Sequence, residues 1–462
     1  MPAKSRFRRQ VATLCGVQFV DVLGVTSGIT ALPAMLRGVS APATATPILA
    51  TVYAMAFGGL LVLGARLGDR HGHRRVLLIG CAAFTVVSVI GATAQEIVQL
   101  VTARGLQGAA AAISVPAALR LLLDAAPGED PRRGALAAWS ASGAAAGAVG
   151  LLVGGVLTDL IGWRAVFWVN VPVGVLLVAG VWAVVPAAAG QPDRRRLDLA
   201  GAALLTGALM AVIVGASLSE NPHDRFTGGL LAAAGLAAGA GFLVHQRRVR
   251  DPLVPRAAFA SANLRTGTAV SFVNTATTSS AGVLATLLLQ QRFGVSPLGA
   301  GFALLPFSLS VIAGSALSKP LGARLSPRRL AATGLAGIGA GNLLLALTYG
   351  GIAGIVAGVV LAGAGLGMAS VAGTAIGTDV DEALSGTASG VLNTGAQLGT
   401  ALGVAALLLV AASVDPAWPG TAVAWTVAAA VAAGAAVMLV ARAGRRGGVP
   451  RRVSQPEPAA GS

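Results

Sequence analysis

Fourteen apolar stretches follow one another along this chain of 462 residues, with arginine-rich connections between them. A helix needs about 20 mostly apolar residues to cross roughly 30 Å of hydrocarbon. Measured that way, the stretches fall at 11–36, 44–65, 76–95, 97–123, 135–159, 163–187, 197–218, 226–244, 265–290, 297–318, 329–349, 351–377, 386–413 and 419–441. Inside a bilayer each backbone N–H and C=O must find its partner within the protein, so runs of this length can only be helices. The chain is expected to be all-α and integral to the membrane. Composition agrees: charged residues make up 11%, less than half the usual ~25% of soluble domains. That excludes an ordinary cytosolic enzyme, a disordered chain and a nucleic-acid binder.

The basic residues orient the helices. With the N-terminus (1–10) in the cytoplasm, 28 of the 33 Lys and Arg fall on the cytoplasmic side. Arg37, Arg164, Arg225 and Arg292 fall opposite, and Arg104 lies within a span. This is the positive-inside distribution. It accounts for the net charge of +16 without nucleic acid, and it places the tail at 443–462 in the cytoplasm. The first stretch follows Lys4, Arg6, Arg8 and Arg9 but is too long for a cleaved signal segment. The predominance of Arg over Lys, with abundant Ala and Gly, points to a GC-rich bacterial genome.

Internal similarity divides the chain further. Gly64-Ala65-Arg66-Leu67 recurs as Gly322-Ala323-Arg324-Leu325, each time at the end of a span and before a basic cluster. Ala141-Ser142-Gly143 recurs as Ala388-Ser389-Gly390. Both echoes fit two six-helix bundles, at 11–187 and 264–442. Spans seven and eight then form an inserted two-helix hairpin within a linker at 188–263. Duplicated bundles around a central site are a transporter plan.

Ionisable groups at membrane depth are costly and usually functional. Asp21 in span one and Arg104 in span four stand out. The residues leave two readings open: an acid that takes up and releases a proton beside a cation, or a structural pair that fixes two helices. Gln18, Asp21, Gly24 and Gly28 share one helical face, and the glycines predict close approach of another backbone. Neutral polar residues gather in the second half: Asn274, Thr275, Thr277, Thr278 and Ser279 in span nine, Asn393 and Gln397 in span thirteen. They are either a polar substrate path, with Gln18, Asn274, Asn393 and Gln397 as its candidates, or bonds between helices. Cys15 and Cys81 read as two packed thiols. The four histidines have no metal-ligand spacing, so no metal site is expected. No phosphate-binding lysine motif is present, and the Gly337–Gly341 run lacks the strand–helix context of a dinucleotide site.

Several strings resemble the major facilitator superfamily, in particular its fourteen-span drug:proton antiporter branch. Ala65-Arg66-Leu67-Gly68-Asp69-Arg70-His71-Gly72-His73-Arg74-Arg75 is similar to the superfamily loop G-x-L-A-D-R-x-G-R-R-R. Arg104-Gly105-Leu106-Gln107-Gly108 matches R-x-x-Q-G. Gly150-Leu151-Leu152-Val153-Gly154-Gly155 is similar to the antiporter G-P-x-x-G-G, with Leu151 in place of Pro. Trp163, Arg164, Phe167, Asn170, Pro172 and Gly174 follow the branch pattern. Where the branch usually has an acid, this chain has Gly24, with Asp21 one turn earlier.

The resemblance implies a cytoplasmic clasp of Asp69, Arg70, Gly72, Arg74 and Arg75, and proton coupling through Asp21 and Arg104. It implies helix packing or gating at Gln107, Gly108, Gly150, Gly154 and Gly155. It also implies a monomeric, multi-pass transporter of the bacterial cytoplasmic membrane. Such a protein needs no cofactor, draws on the proton gradient and has the bilayer, protons and a small molecule as its partners. The expected activity is proton-coupled export of amphipathic molecules or drugs by alternating access. The alternatives are export or uptake of one metabolite or antibiotic, and a receptor or scaffold without flux. Reporters fused after Ser462 and within 219–225 are expected to report opposite sides of the membrane; the same side for both overturns the fourteen-span topology.

Overall fold

The computed structural model describes residues 2–126, 128–186, 197–219, 223–253, 260–380, 385–414 and 417–446. Arg194, Arg195, Arg196, Glu220, Asn221, Pro222 and the tail arginines Arg451 and Arg452 lie outside them. All fourteen expected stretches are helices: α1 (Pro2–Gly38), α2 (Thr46–His71), α3 (His73–Ala92), α4 (Ile97–Asp124), α5 (Glu129–Leu160) and α6 (Ala165–Val184) form the first set. Then come α7 (Leu199–Leu218) and α8 (Arg225–Arg248). The second set is α9 (Ala262–Leu287), α10 (Pro297–Gly322), α11 (Pro327–Thr348), α12 (Ile352–Gly377), α13 (Ser385–Ala412) and α14 (Ala417–Arg446). The described residues contain no strand, and each helix has a segment long and apolar enough to cross a membrane.

Local signals set several boundaries. Ser296 and Ser326 accept the backbone N–H groups of Gly299 and Arg329, and each precedes a proline that opens its helix. These are N-caps with a residue whose missing N–H would be unpaired there anyway. The sequence reading ended span two at 65, but α2 continues through Asp69 to His71, and only Gly72 separates it from α3. Gly72 has φ +88°, a conformation open to glycine and strained for other residues. Asp69 therefore sits on the last helical turn and not in a loop. The repeated string also takes two forms: Gly64–Leu67 is helical, whereas its echo straddles the end of α10.

The two sets pack alike. In the first, α1 lies on α5, α2 on α4, and α3 on α4 and α6; in the second, α9 lies on α13, α10 on α12, and α11 on α12 and α14. Across the sets, α5 meets α10 and α2 meets α13, which the same repeat exchanges. Gly155 faces the Pro297 carbonyl and Gly301 the Leu151 carbonyl, so that α5 and α10 touch backbone to backbone. Ser308 donates to the Gly147 carbonyl at 3.1 Å. Leu151, where the resemblance has Pro, is buried at this contact within an unbroken α5. Leu32, Met35 and Leu36 of α1 share one core with Leu284 of α9 and Leu288 just beyond its end. Gln290 donates to the Thr30 carbonyl at 2.8 Å, closing the two sets together at that end.

Helices α7 and α8 pack on each other, and α7 also lies against α2. Asp198 fastens their ends. Its carboxylate accepts from the Gly201 N–H at 2.8 Å, capping α7, and from Gln246 at 2.7 Å, and it lies 2.7 Å from His245 Nε2. Arg66 of α2 donates to the carbonyls of Asp251, Pro252 and Leu253 beyond α8. Burial opposes the charge on Asp198, but the bonds from His245, Gly201 and Gln246 hold its carboxyl below the usual range. A depressed pKa contributes stability that is complete above the ordinary carboxylate value of ~3.9. That stability is lost as pH falls through the folded value. Asp198→Ala is expected to destabilise the protein by about 1–3 kcal/mol at pH 7, with the gap to wild type closing below pH ~4, as followed by thermal unfolding of the full-length protein.

Candidate functional site

Three places hold the polar chemistry. The first is buried between α1, α2 and α4. Asp21 and Arg104 are only 8% and 7% exposed, but they do not bond to each other. Tyr53 of α2 donates its hydroxyl to Asp21 Oδ1. Arg104 lies over the Tyr53 ring, 5.0 Å from its centre, and donates to the Gly24 carbonyl at 3.1 Å. A desolvated cation–π contact contributes about 2 kcal/mol, and a hydrogen bond to a charged acceptor is stronger in a low dielectric. The sequence missed Tyr53. It is one of two tyrosines in the chain and lies mid-span, which was the available signal.

The glycine face also differs from expectation. Gly28 leaves room for the Arg104 guanidinium and Gly24 faces the Phe84 ring, so side chains fill this face instead of a second backbone. Close backbone approach occurs one contact away, where Gly108 of α4 lies on the Tyr53 carbonyl. That contact fixes where the tyrosine stands relative to Arg104. Gln107 donates to Ser88 Oγ at 2.8 Å, joining α4 to α3. Gly150 and Gly154 let α5 settle on α1 beside Thr26 and Ser27. Gln18 lies against Gly143 of α5. A cavity of about 20 Å³ adjoins Asp21, lined by Val17, Phe84, Ser114 and Leu177, enough for one water.

The second place is the turn between α2 and α3. Asp69 pairs with His73 at 3.1 Å, the residue that replaces an arginine of the superfamily pattern. Arg74 donates to the Trp182 carbonyl of α6 at 2.8 Å. Arg70 and Arg75 are exposed and make no ion pair among the described residues. The expected cluster of Asp69 with three arginines is thus resolved into one acid–histidine pair and one arginine tying α3 to α6.

The third place lies in the second set, between α9, α12 and α13. A cavity of about 250 Å³ is lined by Asn274 and Asn393 together with Ser271, Ser370, Thr374 and Ser389. Two of the four path candidates are brought together here. Gln397 stands one turn further along, at the α2–α13 crossing beside Gly58, and Gln18 is in the other set. Thr277 and Thr278 are turned back onto carbonyls of their own helix. Thr275 bonds the Ala396 carbonyl at 2.5 Å, and Ser279 lies 3.2 Å from Thr400 Oγ1. These last two are bonds between helices.

Comparison with known proteins agrees with this architecture. The family model described as Major Facilitator Superfamily matches residues 14–244 and 267–461. The chain belongs to the major facilitator superfamily. It is a membrane transporter of small molecules and not an enzyme. One relative is the MFS-type transporter EfpA of Mycobacterium tuberculosis, 33% identical over 384 residues, covering 80% of this chain and 70% of that protein. Another is the multidrug efflux pump LfrA of Mycolicibacterium smegmatis, 33% identical over 389 residues and covering 82% and 75%. Among solved structures, the peptide transporter POT in complex with sulfate shares the fold, with TM-score 0.71, 16% identity and coverage of 95% and 94%. Transporters of this superfamily generally need no cofactor, and no cluster of metal-ligating side chains occurs among the described residues.

With Asp21 bonded to Tyr53, Tyr53→Phe is expected to destabilise the folded protein by about 1–3 kcal/mol, the cost of an unsatisfied buried acceptor. An unchanged thermal unfolding midpoint would mean that the acid has another partner.

Proposed function

We propose that the chain is a proton-driven exporter of drugs or related small molecules, with both termini in the cytoplasm of a bacterial cell and the inner membrane as its site. One observation carries this reading: the Asp21 carboxylate and the Arg104 guanidinium are both buried within membrane-spanning helices and held about Tyr53, without bonding to each other directly. Charges in that position are retained for function. A carboxylate whose partner is a neutral hydroxyl can exchange a proton without breaking an ion pair. Proton loss and uptake at Asp21 then alter how α1, α2 and α4 are held together. Export as the direction of transport is supported by LfrA, described as a multidrug efflux pump.

The proposed division into bundles at 11–187 and 264–442, with the linker at 188–263 carrying α7 and α8, supplies the moving parts. The bundles rock about the α5–α10 and α2–α13 contacts, exposing a central site to either side in turn. Gly155 and Gly301 provide smooth backbone surfaces for that motion. In this scheme Asp69, Arg70, Gly72, Arg74 and Arg75 stabilise one access state from the cytoplasmic end, and the protein works as a monomer.

Inverted vesicles carrying the full-length protein test the reading. An imposed proton gradient is expected to drive uptake of chloramphenicol or quinizarin, with protons released to the bath as substrate enters. Asp21→Asn is expected to abolish gradient-driven uptake while leaving exchange of substrate across the membrane. A folded Asn variant that still accumulates substrate against its gradient removes Asp21 from the coupling role.

A further inference from the structure

The cavity between α9, α12 and α13 says what kind of molecule the second bundle can hold. Its polar lining consists of amides and hydroxyls, and none of the lining residues is charged. Asn274 is 1% exposed, and one end of its amide is tied to Ser370 Oγ at 2.8 Å. Its other end, Oδ1, is buried without a hydrogen-bond partner. Buried amide oxygens are nearly always satisfied, and leaving one bare costs about 1–3 kcal/mol. Asn393 lines the same cavity with an exposed side chain. Along α9 the cavity lies at Ser271–Thr275, and the core that joins the two sets begins only at Ala281.

We propose that this cavity is a subsite for an uncharged molecule that donates hydrogen bonds, such as a hydroxylated aromatic, with Asn274 Oδ1 accepting from it and Asn393 contacting it from the opposite helix. The proposal rests on the transport reading above and adds the class of substrate. An organic cation without donors gains nothing here, because the lining offers no carboxylate to replace the water it would shed. At about 250 Å³ the cavity is below the ~300–1,000 Å³ of sites that bury a whole drug-sized molecule. It holds one end of the ligand and fixes its orientation. The two bundles thus divide the chemistry: the first carries the buried charges beside a cavity of about 20 Å³, and the second carries neutral hydrogen-bonding groups around the larger one.

Equilibrium binding to the purified full-length protein, with no proton gradient, tests this separately from coupling. The probes are chloramphenicol and 2-naphthol, which are uncharged at about pH 7 and bear free hydroxyl donors, and tetraphenylphosphonium, a cation that bears none. Both neutral probes are expected to bind at least tenfold more tightly than tetraphenylphosphonium. Asn274→Ala is expected to weaken the neutral probes at least fivefold and leave the cation unchanged. Asn393→Ala changes an exposed side chain, so it reports on the site even if Asn274→Ala fails to fold, and it is expected to weaken the neutral probes at least threefold. Tetraphenylphosphonium binding as tight as the neutral probes, no binding of the neutral probes, or variants that leave neutral binding unchanged or weaken all three probes alike each overturns the subsite. Loss of gradient-driven uptake with neutral binding intact would instead count against the coupling reading alone.

Discussion

The close contact of helix backbones through small residues is the constraint on which the rest of this protein depends. In a bilayer the tails are as apolar as leucine, so helices associate through tight packing and hydrogen bonds instead of hydrophobic expulsion. Gly108 on the Tyr53 carbonyl, Gly64 on the Ala112 carbonyl and Gly155 on the Pro297 carbonyl are such contacts. The first two draw α2 and α4 together and so place Tyr53 beneath Arg104. The third draws the two halves together. A chain with 63 glycines would be poorly helical in water, but here the glycines let helices approach.

That packing turns isolated polar residues into an arrangement with chemical consequences. Asp21, Tyr53 and Arg104 come from three helices, and each alone would be a costly group in an apolar setting. Held together, the hydroxyl satisfies the carboxylate, the ring supports the guanidinium, and a backbone carbonyl takes one of its donors. The acid and the cation thus share Tyr53 as a neighbour without bonding to each other. The second half solves its polar problem differently. Most of its threonines bond back to their own helices, and among the buried groups left without a partner Asn274 lines a cavity.

Much of the fold was legible because membrane helices obey a length rule and a charge rule that act on composition alone. The fourteen spans and the two-fold internal repeat came from those rules and from short echoes of sequence. Boundaries were less legible where the helix outlasted the apolar run: α2 continues through Arg66, Asp69 and Arg70 because Gly72, and not polarity, ends it. At the site, the sequence identified Asp21 and Arg104 by their charge and left open whether they pair, but it overlooked the neutral residue between them. Likewise, the basic loop promised an acid among arginines, whereas the acid bonds His73, which the turn at Gly72 brings within reach from the start of α3. Asp198 drew no attention in the sequence because it sits at the edge of a span, where charges are ordinary.

The sequence by itself determined that the chain is a membrane protein and that it has fourteen helices long and apolar enough to cross, because these follow from transfer energies that each residue contributes separately. Only the tertiary structure decided which polar groups meet: that Tyr53 stands between Asp21 and Arg104, that Asn274 and Asn393 share a cavity while Gln18 and Gln397 do not, and that Asp198 locks α7 to α8. Partnership depends on the rotation and depth of one helix against another. Those are set by which glycine allows which carbonyl to approach, a relation between distant parts of the chain that no single stretch of sequence contains.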